Sequence, residues 1–325
     1  MKRRTLLGGL GAVAAFWRHA AAAAQEPGRV YRIAYLGPSP PGAPPQRAFF
    51  AALEKRGYVD GRNLIIDQRG FGQAPGQFPQ AGKLLVEAKP DLIVCGGPEP
   101  GRAAQAATKT IPLIVNSDDL VGEGLVASIA HPGGNTTGIS VHSPDLDGKR
   151  FEILLELLPG VRRICALAGS DTANEHHFAV LQDAARAHGV ELTIRTVDSY
   201  AAIAPAIEAA KTTGAQGLNV LGSALLFGNR QVIFERSVAL RLPAIYQWPE
   251  NAHEGGLIGY GPSITRIYGE QISRLAIRVL QGTRPGELPV EQPDKFEMTI
   301  NTKVAKAIDL AIPSLLLARA DEVIE

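Results

Sequence analysis

Residues 91–97 read Asp91-Leu92-Ile93-Val94-Cys95-Gly96-Gly97. Four apolar residues in succession, stopped by two glycines, predict a short buried strand. The surroundings agree. Residues 78–88 carry a helical pattern, and Leu113-Ile114-Val115 after Pro112 reads as the next strand. Toward the N-terminus, 31–36 is a strand ending at Gly37, 46–56 a helix stopping at Gly57, and 63–67 a further strand. Such alternation predicts right-handed βαβ units on a mostly parallel sheet.

The pattern then restarts. Strands at 163–168, 191–196 and 217–221 alternate with helices at 174–188 and 201–212, and a strand at 257–260, a long helix at 265–280 and a strand at 296–300 follow. Strand starts at 31, 63 and 91 and at 163, 191 and 217 have similar spacing, so two similar α/β lobes are expected. The predicted division is 25–141 plus 262–290 for the first lobe and 142–261 plus 291–325 for the second.

Ligands of open α/β sheets bind beyond the carboxyl ends of the strands. If the lobes face each other, those ends line one cleft. The candidates in the first lobe are Gly37, Pro38, Ser39, Gly96, Gly97, Asn116, Asp118 and Asp119, with Ser140 near the junction. In the second they are Ser170, Asp171, Asn174, Gly222, Ser223, Tyr246, Trp248 and Tyr260. Glycine amides approach a ligand closely, a carboxylate of Asp118 or Asp119 holds an ammonium group, and the aromatics stack on a flat apolar body. Each has a plainer reading. Asp118 and Asp119 also suit a turn or a helix cap, Ser170, Asp171 and Asn174 suit capping of 174–188, and the three aromatics suit a core.

The chain has 325 residues, 45% apolar and 20% charged, which excludes disorder, collagen and coiled coil. Its 33 basic and 32 acidic residues are too even to argue for a nucleic-acid partner. No apolar run is long enough for membrane insertion. Lys2, Arg3 and Arg4, an apolar run over 5–17 and Ala22-Ala23-Ala24 read as a signal peptide over 1–24, for either the general secretory or the twin-arginine route. Without it 29 basic residues face 32 acidic ones, a balance of −3, and the expected location is a periplasm, with no cysteine placed for a lipid anchor. Cys95 and Cys165 each sit in a strand run and read as buried hydrophobes rather than a bridge.

Enzyme motifs were sought. No G-x-S-x-G, P-loop or H-E-x-x-H occurs, and Pro75-Gly76 interrupts what Gly70-Phe71-Gly72 would need for a dinucleotide fingerprint. His176 and His177, adjacent on a helix, point about 100° apart and do not converge on one metal. His142 and His253 stand alone. No catalytic residue, metal or cofactor is expected.

Several ordered stretches resemble the ABC-transporter substrate-binding proteins of the tryptophan/tyrosine-uptake type. They are LEKRGYVDGRNL (53–64), GEGLVASIAHPGGNTTG (122–138), Gly148-Lys149-Arg150, LPAIY (242–246), GGLIGYGP (255–262), LPVEQPDKF (288–296) and LLLARADEVIE (315–325). The resemblance implies a fold similar to type I periplasmic binding proteins, with two doubly wound lobes around a ligand cleft and three crossovers. It implies capture of a small molecule, an aromatic or branched amino acid or similar carboxylate, and delivery to an ABC permease and its ATPase. Hinge strands are expected near 138–143, 259–262 and 288–293. The chain departs from the family pattern inside the expected cleft. Asp119-Leu120-Val121-Gly122 lacks the usual proline, Gly222-Ser223-Ala224 replaces a frequent Asp-Pro, and Pro98-Glu99 stands where threonine is common. Glu250 matches a frequent family glutamate, expected to pair with a rim lysine. A ligand-sensing module signalling to a membrane receptor and a periplasmic α/β enzyme are the rival readings.

Overall fold

The computed structural model describes residues 28–141, 143–173 and 175–325. The first sheet holds β1 (Tyr31–Leu36), β2 (Leu64–Asp67), β3 (Leu92–Gly96), β4 (Leu113–Ser117) and β5 (Thr136–Ser140), all parallel, in the order β2-β1-β3-β4-β5. Its connections are α1 (Pro44–Lys55), α2 (Phe78–Glu87) and α3 (Pro98–Ala107), each with proline in its first two positions. Proline fits there because its fixed φ is helical and the N–H it lacks has no partner within the helix.

The second sheet repeats that winding. Strands β6 (Arg163–Gly169), β7 (Glu191–Val197), β8 (Gly217–Val220), β9 (Ala244–Tyr246) and β10 (Ile258–Gly261) lie in the order β7-β6-β8-β9-β10. Two more strands extend it: β11 (Glu297–Asn301), antiparallel to β10, and β12 (Glu322–Ile324), parallel to β11. The helices of this lobe are α4 (Ser143–Leu157), α5 (Glu175–His188), α6 (Tyr200–Thr212), α7 (Ala224–Gly228), α8 (Arg230–Ala239) and α9 (Glu250–His253). Later come α10 (Ile264–Arg266), a π-helical stretch Ile267–Ile272, α11 (Ser273–Leu280), α12 (Thr302–Ala307) and α13 (Ser314–Arg319).

Each sheet is covered on both faces, as its period-2 side chains require. Ile33, Val94 and Ile114 point into one core and Ala34, Ile93 and Val115 into the other. In the second sheet Ile164 and Ala166 face one core while Cys165 and Leu167 face its opposite. The chain passes between the sheets three times. It leaves after β5, returns after β10 so that Ile267, Ile272 and Leu275 pack with Phe49 of α1, and leaves again between Leu288 and Met298. The first and third passages pair: Ser140 N donates to Glu291 O at 2.9 Å and Glu291 N to Gly138 O at 3.0 Å. Glycine is required at 138, since a Cβ there would stand 1.8 Å from Val115 O.

Two local expectations differ from the structure. Thr136–Ser140, of which only 138–140 fell within an expected hinge strand, is a full fifth strand, paired along its length with β4 and bridged at Ile139 by Glu291. The helix over 265–280 is interrupted by the π-helical stretch.

Cys95 and Cys165 lie in different sheets, buried and free. Burial pushes the Cys165 thiol up to about 11 and the Cys95 thiol further. Since the thiolate is the nucleophile, neither cysteine reacts with a maleimide at pH 7.5 until denaturant is added. Mass spectrometry of the native chain checks this, and a labelled native species would contradict it.

Candidate functional site

A sheet order that reverses beside its first strand opens a crevice between the loops that leave in opposite directions. In the first lobe those loops follow β1 and β3; in the second they follow β6 and β8. The two crevices face each other and form one cavity of about 520 Å³, counted to its open mouth.

Eight of the predicted residues line this cavity. Pro38 and Ser39 come from the loop after β1, Gly96 and Gly97 from the end of β3, and Asn116 and Asp118 from the end of β4. Ser223 and Trp248 come from the second lobe. The lobes touch across it. Gln247 Nε2 donates to Asp118 Oδ1 at 3.2 Å. A Cβ on Gly222 would lie 2.7 Å from Gln247 Nε2 and 2.8 Å from Asp118 Oδ2, and one on Gly97 would lie 2.7 Å from Ala224 Cβ.

The remaining predicted residues serve the frame. Gly37 makes room for the Tyr35 hydroxyl, which a Cβ would meet at 2.5 Å. Asp119 turns back on its own loop, Oδ1 accepting Val121 N at 3.2 Å and Gly122 N at 3.0 Å. Ser140 is buried and donates to Asp118 O at 3.3 Å. Ser170 is exposed. Asp171 is expected to cap 174–188, but it caps α7, accepting Ala224 N at 2.8 Å and Leu225 N at 3.3 Å. Tyr246 is a core residue, its ring 4.9 Å from that of Phe234. Tyr260 gives its carbonyl to Arg150 Nε at 2.8 Å, and its ring packs in the second lobe. Asn174 and His142 lie outside the described residues. His253 Nε2 pairs with Glu322 on the surface at 2.9 Å. Glu250 accepts Ser263 Oγ at 2.6 Å and Thr265 N at 3.0 Å, so it caps α10 rather than meeting a lysine.

The cavity also contains residues the sequence reading missed. Tyr35 sits inside β1 and Tyr268 in the π-helical stretch, a geometry that shifts side chains out of helical register and recurs at functional sites. The Tyr35 hydroxyl is bonded to Ser39 and Tyr268, and burial pushes it up to about 12. A Cβ on Gly96 would meet that hydroxyl at 2.2 Å, so this glycine serves the tyrosine. Gln46, Ser117, Thr172, Phe227 and Gln247 complete most of the wall. Beneath it, Glu123 accepts a short hydrogen bond from Ser117 Oγ and another from Asp119 N at 3.4 Å. Burial, and then the Asp118 charge, push Glu123 up to about 7. Arranged this way, the described residues give the cavity aromatic walls, several amide and hydroxyl groups and the Asp118 carboxylate. It is suited to enclosing a small amphipathic molecule.

The comparisons agree with this geometry. The family model described as ABC transporter substrate binding protein matches residues 46–324. A tyrosine-binding protein of Clostridioides difficile (strain R20291) is 28% identical over 270 residues, 82% of this chain and 76% of that protein. Among solved structures, a conserved domain protein from Vibrio cholerae matches with TM-score 0.79 and 24% identity, covering 91% of this chain and 99% of that one. An ABC domain from Streptococcus pneumonia in complex with L-Trp matches with TM-score 0.76 and 23% identity, covering 90% of this chain and 100% of that one. Those likenesses carry the two-lobe periplasmic-binding-protein fold, and the family model covers most of the chain. On that ground the chain is a member of the ABC transporter substrate-binding protein family.

Proposed function

We infer that the protein is the periplasmic receptor of an ABC importer. It captures a small molecule, an aromatic or branched amino acid or a similar amphipathic solute, between its lobes. It then delivers that solute to a membrane permease with its ATPase. The signal peptide over 1–24 is removed on export, and the lobes are 25–141 plus 262–290 and 142–261 plus 291–325. The observation that carries this reading is the cavity itself, walled by strand ends of both sheets, with Asp118 of one lobe bonded to Gln247 of the other. Parting the lobes would break that bond and open the site. A ligand making better contacts with the joined lobes shifts the equilibrium toward them. Hinge bending falls on the three passages, where few residues connect the sheets. The tyrosine-binding relative and the L-Trp complex support an amino acid as cargo.

A thermal-shift screen against amino acids, aromatic and short carboxylates, sugars and purines tests the reading. One chemical class should stabilise the protein by about 2.7 kcal/mol at a hundredfold excess over Kd, and the ligand should be recovered unchanged. No stabilisation by any class, or a ligand returned altered, would sink the transport-receptor reading, the second outcome favouring an enzyme.

A further inference from the structure

The short helix α7 is fastened at both ends within the second lobe. At its start Asp171, 8% exposed, accepts Ser223 Oγ at 2.6 Å, Ala224 N at 2.8 Å and Leu225 N at 3.3 Å, and Ser223 Oγ accepts Leu226 N at 3.1 Å. Charge-assisted bonds from a buried carboxylate hold a helix start firmly. Thr172 Oγ1 donates to Gly222 O at 2.6 Å, which ties the turn before α7 to the loop after β6. At the other end Arg230 lies over the Phe227 ring, its Cζ 4.3 Å from the centroid, and pairs with Glu254.

This fastened helix rests on the first lobe. Ala224 meets Gly97, where a Cβ would lie 2.7 Å from Ala224 Cβ, and a Cβ on Gly228 would lie 3.0 Å from Pro38 Cβ. Positions four apart share a helix face, so α7 turns two small residues toward the loops after β1 and β3. Small residues let two backbones approach, and packed atoms then stop them. Larger side chains flank the contact. Phe227 packs on the cluster that holds Tyr35 and Tyr268, and Trp248, 5% exposed, belongs to that cluster. With the Gln247–Asp118 bond, these contacts come from the atoms of the two lobes themselves.

We propose that α7 is the closure stop of this receptor, seating Ala224 and Gly228 on Gly97 and Pro38, and that these contacts bring the lobes together before a ligand is bound. The stop fixes the space left between the lobes, so it sets the largest ligand that the closed form encloses. A ligand enters while the lobes are parted and is held by a closure the protein already makes. Asp171 is a positioning residue in this device, acting through α7. The inference rests on the two-lobe receptor reading above and deepens it.

The double variant Pro38→Cys/Gly228→Cys tests it. The closed form would put the two Cβ atoms about 3.0 Å apart, close to the spacing a disulfide adopts. The protein is unfolded in urea and refolded to strip any carried solute, then oxidised with glutathione disulfide, and peptide mass spectrometry follows the cross-link. It should form about tenfold faster or better than in Pro38→Cys/Glu208→Cys, whose second position is a half-exposed site on α6. Adding Ala224→Leu should slow the cross-link by about tenfold or more, because overpacking the contact with Gly97 holds the lobes apart. Should the cysteine pair fold poorly, small-angle scattering decides, since Ala224→Leu alone should enlarge the radius of gyration relative to wild type. A cross-link no faster than the control, one indifferent to Ala224→Leu, or an unchanged radius overturns the inference. None of these readouts needs a ligand. A slow cross-link beside a clear thermal shift therefore sinks the closure stop alone, and a ready cross-link beside a silent thermal-shift panel sinks the receptor reading alone.

Discussion

Arg150→Met should lower the stability of the protein by about 3–5 kcal/mol, the range for breaking one side of a buried ion pair. Arg150 and Asp147 sit one turn apart on α4, both with 0% side-chain exposure, and form a salt bridge. Arg150 does more than neutralise its partner. Nε donates to Tyr260 O at 2.8 Å and Nη2 to Gln247 O at 3.3 Å, so one guanidinium ties α4 to the chain at the ends of β9 and β10. Asp147 O in turn accepts Asn219 Nδ2 of β8 at 3.2 Å. Methionine leaves the Asp147 carboxylate buried without its cation and two carbonyls without a donor. Lysine is no substitute, because a single ammonium cannot reach three acceptors in the planar fork that arginine offers. The double variant Asp147→Leu/Arg150→Met should recover the part of the loss that comes from the uncompensated charge, while the Tyr260 and Gln247 carbonyls still lack that donor. Urea denaturation measures both. A single variant within about 1 kcal/mol of wild type would show that the pair is not what anchors Gln247. Because Gln247 lines the cavity and bonds to Asp118, ligand affinity should fall in the single variant as well.

That arginine also marks where sequence reading stops. Gly148-Lys149-Arg150 contributes to the family resemblance without telling its two cations apart, yet the Lys149 side chain is 42% exposed and Arg150 is wholly buried. The strands were legible because their signal is local: an apolar run and a glycine stop need no knowledge of neighbours. The repeated winding followed from the repeated spacing. Side-chain direction at the strand ends was harder. Asp118 and Asp119 are adjacent, so one faces the cleft and the other cannot, and composition alone does not say which. The stretch compared with the family pattern begins at Asp119, but that carboxylate closes its own turn, and Asp118 is the one that lines the cavity. Tyr246 was read as a cleft aromatic because it ends a strand, but Phe234 of α8 holds it in the core. Tyr35 and Tyr268 were missed for the opposite reason. Tyr35 reaches the cavity only because Gly37 and Gly96 leave space for its hydroxyl, and Tyr268 arrives from a segment more than 200 residues away. Such placements depend on packing between elements far apart in sequence.

Glu123 should make the protein lose stability as pH rises from about 4.5 to about 7. Burial comes first among the causes and the neighbouring Asp118 charge second, while the Ser117 hydroxyl, Asp119 N and the Arg102 charge pull the other way. The folded state therefore holds a proton that the unfolded chain, near 4.5, has already released. Its contribution is complete below pH 4.5 and is lost as pH climbs through 7. Integrated over that interval it amounts to about 3 kcal/mol at most. Asp67, held low by Arg69, acts with the opposite sign at lower pH, so the test is a difference between two proteins rather than one profile. Glu123→Gln keeps an oxygen for Ser117 Oγ and Asp119 N but cannot ionise. Its stability relative to wild type should rise between pH 5 and 8, and urea midpoints at half-unit steps measure this. Curves that stay parallel over that range would mean that Glu123 titrates like an exposed carboxylate. Asp118→Asn supplies the complementary check. Removing that charge should bring the Glu123 transition to lower pH and shrink the difference, because the coupling between the two carboxylates is reciprocal.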